Sequence, residues 1–337
     1  MINQLLDARK ACLLGNTKNL LPKQEIILIL LIFILSCNFE KKTEQKEVKP
    51  QVIISVPDFD ENSAFEYLTK QVSFGPRVPN SKAHEECKNF LISEISKYAD
   101  AVNVQNFTHN YLGKTFKLSN IIASFNLKSG FRILLCAHWD SRPYADEEKE
   151  PSKRIQPVPG ANDGASGVAV LLEIARILKN NPPPIGIDIV FFDGEDLGIA
   201  GDLDNFCIGS KYFAKNKSVN YSPQFGILLD MVGDKDLQIF KERNSVEYAP
   251  DVVEYVWGIA RELEISEFRD QVKYDVYDDH IPLNEAGIRT IDIIDFDYPY
   301  WHTTEDTPDK CSPQSLKKVG SVILNLIYKY KANVAER

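Results

Sequence analysis

The stretch Phe131-Arg132-Ile133-Leu134-Leu135-Cys136-Ala137-His138-Trp139-Asp140 decides the reading of the chain. Ile133 to Cys136 form an uninterrupted apolar run, the pattern of a strand covered on both faces in a parallel sheet. The run stops at an imidazole and, two residues on, a carboxylate. The pattern then recurs. Ile187–Phe192 leads into Asp193, Glu195 and Asp196; Phe225–Leu229 leads into Asp230; Ile288–Ile294 is followed closely by Trp301 and His302. In open α/β sheets, ligands bind outside the carboxyl ends of the strands. Four strands therefore aim acids and imidazoles at one edge, which predicts a metal site.

Working outward, strands alternate with helices from Phe131 to Lys331. This predicts an α/β fold with a mostly parallel mixed β-sheet sandwiched between helices. Asp60 caps a predicted helix over Asn62–Gln71, and a second amphipathic helix spans Ser81–Tyr98 with Cys87, Phe90, Leu91 and Ile95 spaced for burial. Val102–Thr108 and Lys117–Phe125 alternate as a hairpin around Tyr111-Leu112-Gly113-Lys114. The polar segment Arg142–Pro159 reads as an irregular loop, and Ala165–Asn180 as a strong helix stopped by Pro182-Pro183-Pro184. Further helices are predicted at Ser210–Lys215, Pro250–Leu263, Pro282–Ala286 and Ser315–Lys331, with a strand at Leu237–Phe240. Without an internal repeat or linker, residues 58–332 form a single catalytic domain.

The chain has 337 residues and a formal net charge of -9. That charge argues against a nucleic-acid partner, whose phosphates call for Lys and Arg. Six cysteines are scattered without a CxxC pair, so thiolate zinc and thioredoxin-type chemistry are not expected. At the N-terminus, Lys18 and Lys23 precede the apolar run Ile26–Leu35, a secretory-signal pattern too short for a comfortable membrane span. Residues 1–37 are thus a signal segment, and 38–57, charged and poor in apolar residues, a flexible tether. Ile34-Leu35-Ser36-Cys37 resembles a bacterial lipobox. The resemblance implies an exported, lipid-anchored protein of the cell envelope, joined to the membrane through Cys37. Buried acyl chains hold by roughly 0.8 kcal/mol per CH₂.

The chemistry rests on His138, Asp163, Glu195, Asp196, Asp230 and His302. Each alone has an ordinary reading: a hydrogen-bonded histidine, a helix cap at Asp163, a turn residue at Asp230, a solvated turn over Asp193–Asp196. Together they change meaning. Converging acids without a nearby cluster of Lys or Arg repel by several kcal/mol in a cleft, and a cation removes that repulsion. His84 and His109 read as solvated surface residues, and His280 as support behind the site.

These residues carry a family resemblance. The order His138-x-Asp140-Ser141, Gly160-Ala161-x-Asp163, Phe191-Phe192-Asp193-Gly194-Glu195-Asp196, Leu229-Asp230-x-x-Gly233 and Trp301-His302-Thr303 resembles the zinc aminopeptidase superfamily. Within it, Asp278-Asp279-His280-Ile281-Pro282 and the Trp301-His302 pair are similar to the glutaminyl-peptide cyclotransferases. The resemblance implies Asp163, Asp196 and His302 as ligands of one Zn²⁺, and Glu195 as general acid/base with Asp278 and Asp230 sharing a hydrogen bond beside it. It implies Trp301 as a substrate-pocket wall, and peptides or proteins with N-terminal Gln as substrates. Two positions depart from the animal cyclases: Asp196 replaces a Glu, and Gly201 stands where their pocket has a Trp. Asp278 and Asp279 have a plainer reading as an N-cap, and Trp301 as core. The rival enzyme is a two-zinc aminopeptidase with a second ion at His138 and Asp230, bridged by Asp163. A third reading is a binding lipoprotein without catalysis.

Overall fold

The computed structural model describes residues 55–335; the predicted signal segment, and the tether up to residue 54, lie outside them. The elements run α1 (Glu61–Val72), α2 (Lys82–Ile95), β1 (Ala101–Tyr111), β2 (Lys114–Phe125), β3 (Arg132–His138), α3 (Ala165–Asn180), β4 (Gly186–Phe192), α4 (Ile208–Asn216), β5 (Gly226–Asp230), β6 (Ile239–Lys241), α5 (Arg243–Tyr248), α6 (Pro250–Glu262), β7 (Phe268–Val272), α7 (His280–Glu285), β8 (Thr290–Ile294) and α8 (Pro313–Ala335).

Strand β3 sends Ile133, Leu135 and Ala137 into one apolar cluster and Leu134 and Cys136 into another. Because successive side chains point to opposite faces, both faces are dry, and the strand needs no polar alternation. Strands β4 and β5 flank β3 in parallel, and β8 continues beyond β5. The hairpin β1–β2 joins the far edge antiparallel to β4, giving the order β1-β2-β4-β3-β5-β8. Helices α1, α3, α6 and α8 pack together on one side; α4 and α7 pack against each other on the other. The α/β sandwich read from the sequence is therefore the observed fold.

Local chemistry sets several boundaries. Asp60 accepts from the amides of Asn62 and Ser63 and starts α1; Ser81 accepts from His84 and starts α2, each satisfying otherwise unpaired donors. The hairpin turns at Leu112 and Gly113, both at positive φ (48° and 73°), as a two-residue type I′ loop requires.

Topology then locates the site. From β3 the chain moves to β4 on one side, then crosses to β5 on the other. The direction of winding reverses beside β3, which opens a crevice outside the carboxyl ends of β3 and β5. His138 ends the first strand and Asp230 the second.

Three elements differ from the sequence reading. The strand predicted at Leu237–Phe240 is Ile239–Lys241, and it leaves the main sheet to pair in parallel with β7. β7 was not predicted because only Phe268 in it is buried, so it lacks apolar alternation. Likewise α5 has no apolar stripe; Glu242 nucleates it by accepting from the Asn244 and Ser245 amides.

Candidate metal centre

Asp163 reaches the crevice from the loop before α3. The helix N-cap is Gly164, at φ 88° and without a side-chain cap bond, so Asp163 is no helix cap. A Cβ on Gly164 would lie 2.6 Å from Cε1 of His138; only glycine lets these two segments approach so closely. Glu195 and Asp196 follow β4, held by Asp140, whose carboxylate accepts from both of their amides at 3.1 and 3.3 Å. His302 arrives from the loop after β8 in a left-handed conformation, φ 54°, a strained state typical of functional positions.

Two groups of donors result, sharing Asp163. In the first, Nε2 of His302 lies 3.4 Å from Oδ1 of Asp196 and 3.7 Å from Oδ2 of Asp163. These separations are long for hydrogen bonds. The first matches, and the second slightly exceeds, the edge of about 3.3–3.6 Å of a tetrahedron whose corners sit 2.0–2.2 Å from a zinc ion. Oδ2 of Asp196 is also buried without a partner, which a buried carboxylate rarely is. The residues therefore fit a bound divalent ion. In the second group, Nε2 of His138 lies 3.1 Å from Oδ1 of both Asp163 and Asp230, within hydrogen-bonding range.

One expectation needs correction. The acids do have a basic partner. Arg142, 2% exposed, donates from Nη1 to Oδ1 of Asp196 at 2.6 Å and binds Asp146 through Nε and Nη2 at 2.7 and 2.5 Å. Asp146 in turn faces Nδ1 of His302 at 3.4 Å. Burial disfavours the His302 cation, but the carboxylates of Asp196 and Asp146 outweigh it and push the ring up to about 9. Asp306 braces the other ligand loop by accepting from the amides of Asn162 and Asp163. Nothing in the sequence marks Arg142 or Asp306, because each is ordinary in a polar loop.

Nor is His84 on the surface: Nε2 pairs with Asp193 at 2.8 Å and the ring stacks on Trp139 with centroids 4.3 Å apart. His109 is half-buried against Asn205. His280 is buried behind the site, with Nε2 3.3 Å from Glu242, as read. Asp279 takes the N-cap position of α7 but forms no side-chain cap bond.

Glu195 stands beside the ligands, with Asp278 and the thiol of Cys207 next to it; donor atoms of all three lie within 4.8 Å of one another. Burial, reinforced by the charge of Asp196, pushes the Glu195 carboxyl well up. Asp278 is pushed up to about 7 by burial and then by the charge of Asp230. Asp278 accepts the Asp279 amide on one oxygen and faces the charge of Asp230. Glu195 and Asp278 lie on the floor of an open cleft of about 270 Å³, walled by Trp301, Phe206, Phe296 and Met231. Trp301 stacks on His302 at 3.8 Å and lines the cleft, so it is not plain core. At Gly201, also on the wall, an added Cβ would meet nothing within 4 Å.

Carboxylates and an imidazole converge past the ends of the parallel strands of a mixed sheet, with a lone glutamate beside them, an arrangement suited to a metal-dependent enzyme. Residues 120–327 match the profile of Peptidase family M28, and the chain belongs to that family. Among solved structures, a glutaminyl cyclase from Tannerella forsythia is 44% identical with a TM-score of 0.77, covering 81% of this chain and 99% of that one. A Zn-dependent exopeptidase from Parabacteroides distasonis is 42% identical with a TM-score of 0.79, over 81% and 99%. Aminopeptidase YwaD of Bacillus subtilis is 28% identical over 219 residues, 60% of this chain; the chain spans only 42% of that relative's length.

Proposed function

We propose that the protein is a zinc-dependent glutaminyl-peptide cyclotransferase, converting N-terminal glutamine to pyroglutamate with release of ammonia. One observation carries the reading: Glu195 and Asp278 sit side by side on the floor of an aromatic-walled cleft, next to a complete Asp163–Asp196–His302 donor set. The similarity to bacterial proteins described as glutaminyl cyclases supports it.

When bound, zinc supplies a Lewis acid that polarises the γ-carboxamide carbonyl. The chain's own residues do the rest. Trp301 and Phe206 enclose the glutamine side chain and exclude water. Glu195, raised by its dry surroundings, takes a proton from the α-amine as the nitrogen attacks the γ-carbonyl carbon. It then returns that proton to the departing amide nitrogen, which leaves as ammonia. Asp278, within 4.8 Å of Glu195, adds negative charge that helps keep the Glu195 carboxyl raised, so the two titrate as a coupled pair.

A two-zinc aminopeptidase is the second reading, and one observation favours it: Asp163 turns Oδ1 toward His138 and Oδ2 toward His302, as a bridging carboxylate would. Against it, the 3.1 Å contacts of His138 let the imidazole itself satisfy Asp163 and Asp230. The two readings separate by product and stoichiometry. One zinc per chain and ammonia from a Gln-peptide are expected; two zincs and a freed amino acid would overturn the cyclase reading.

The N-terminal sequence supports a further part of the proposal: that Cys37 carries the lipid anchor of an exported envelope protein. Cys37→Ala is expected to move the protein from the detergent phase to the aqueous phase in a detergent partition. Unchanged partition would refute the anchor.

A further inference from the structure

We infer that Arg142 is a positioning residue that holds two of the three proposed zinc ligands in place through one closed ring of contacts. The inference rests on the zinc reading above. The ring runs from Asp196 to Arg142, to Asp146, to His302 and back to Asp196. Its links are the 2.6 Å contact from Nη1 to Asp196, the paired contacts of 2.7 and 2.5 Å to Asp146, and the 3.4 Å approaches of Asp146 and Asp196 to the two ring nitrogens of His302.

The ring works on each ligand differently. Asp196 is tied on Oδ1 and left with a bare, buried Oδ2, so its rotation is restricted while acceptor capacity remains. Asp146 faces Nδ1 of His302, which turns Nε2 toward Asp163 and Asp196. A histidine ligand held on its other nitrogen by a carboxylate is a recurring way to set ring orientation and raise ligand basicity.

Arginine suits the task where lysine would not. The guanidinium presents donors in a rigid fork and can serve two carboxylates at once, while an ammonium is a single point charge on a flexible stem. The ring of Phe206, 5.3 Å from the guanidinium carbon, covers the cation from the cleft side. Charge also balances. Arg142 and Asp146 cancel one another, leaving the carboxylates of Asp163 and Asp196 to match a divalent ion. The 2.6 Å bond from Arg142 holds Asp196 in place whether or not the ion is bound.

The test is zinc affinity, read by competition with a fluorescent chelator, in Arg142→Met, Arg142→Lys, Asp146→Asn and the Arg142→Met/Asp146→Asn double variant. Circular dichroism and the Tm of the metal-free protein accompany each titration. Arg142→Met is expected to weaken zinc binding by about 10–100-fold, the usual loss when an outer partner goes. Arg142→Lys should recover only part of it. In the double variant the losses should not multiply, because both substitutions open one ring. Zinc affinity in a folded Arg142→Met within threefold of the parent would overturn the inference. Should Arg142→Met not fold, Asp146→Asn decides, since it opens the ring and leaves the buried cation in place; affinity within threefold of the parent again overturns it. If the parent and His302→Ala titrate alike, the zinc reading itself has failed, a result distinct from a parent that binds zinc and an Arg142 variant that binds it equally.

Discussion

Glu195→Gln slows ammonia release from a Gln-peptide by about 10²–10⁴-fold, while zinc content stays at the parent level. The substitution swaps one carboxylate oxygen for a carboxamide nitrogen and changes little else. The backbone at this position remains held by Asp140, which accepts the residue 195 amide at 3.1 Å, and by Cys207, whose amide donates to the residue 195 carbonyl at 2.8 Å. The Asp163–Asp196–His302 set does not include position 195, so metal binding has no reason to fall. What is lost is the ability to take a proton from the α-amine and return it to the leaving nitrogen. The assay is ammonia release, with zinc measured by mass spectrometry on the same sample. A near-parent rate would place the base elsewhere, with Asp278 the first alternative. Loss of zinc would instead make Glu195 a ligand and undo the role assigned to it.

The parts of the molecule that were legible in the sequence are those where one signal dominates. β3, β4, β5 and β8 are buried on both faces and rich in apolar residues, with Asp188, Thr290 and Asp292 as polar side chains inside the runs, and their boundaries follow from where the apolar run ends. α3 was predicted at its observed span, Ala165–Asn180, because apolar periodicity and a proline stop agree there. The donor set came from residues at strand ends and from motif order, and the structure brings all of them to one crevice. The missed elements carry weak local signals. β7 is a strand because its backbone pairs with β6, a long-range fact that its exposed side chains do not advertise. His84 looked like a helix-surface residue, since its partner Asp193 lies 109 positions away. Arg142 failed to register for the same reason: a guanidinium in a polar loop declares its partners only once the loop is folded over the site. Nor does the sequence show that one imidazole, His138, engages both Asp230 and Asp163.

His302→Ala is the substitution expected to separate the one-ion and two-ion readings most sharply. His302 is the nitrogen donor of its set, and its removal leaves only the carboxylates of Asp163 and Asp196. The loss of affinity should exceed the ten- to hundredfold cost of losing an outer partner, so that zinc falls from one per chain to a trace after dialysis and ammonia release falls with it. The thermal signature follows by mass action: at free zinc about 100 times Kd, the parent gains roughly 2.7 kcal/mol of stability, and the variant gains almost none. A second ion at His138, Asp163 and Asp230 would behave otherwise, because that set does not use His302 and its donors stay 3.1 Å apart. In that case His302→Ala would retain one zinc per chain and a residual zinc-dependent rise in Tm. Retention of that ion would move the chemistry toward the bridged two-metal arrangement, in which Asp163 spans both centres and Glu195 activates a water.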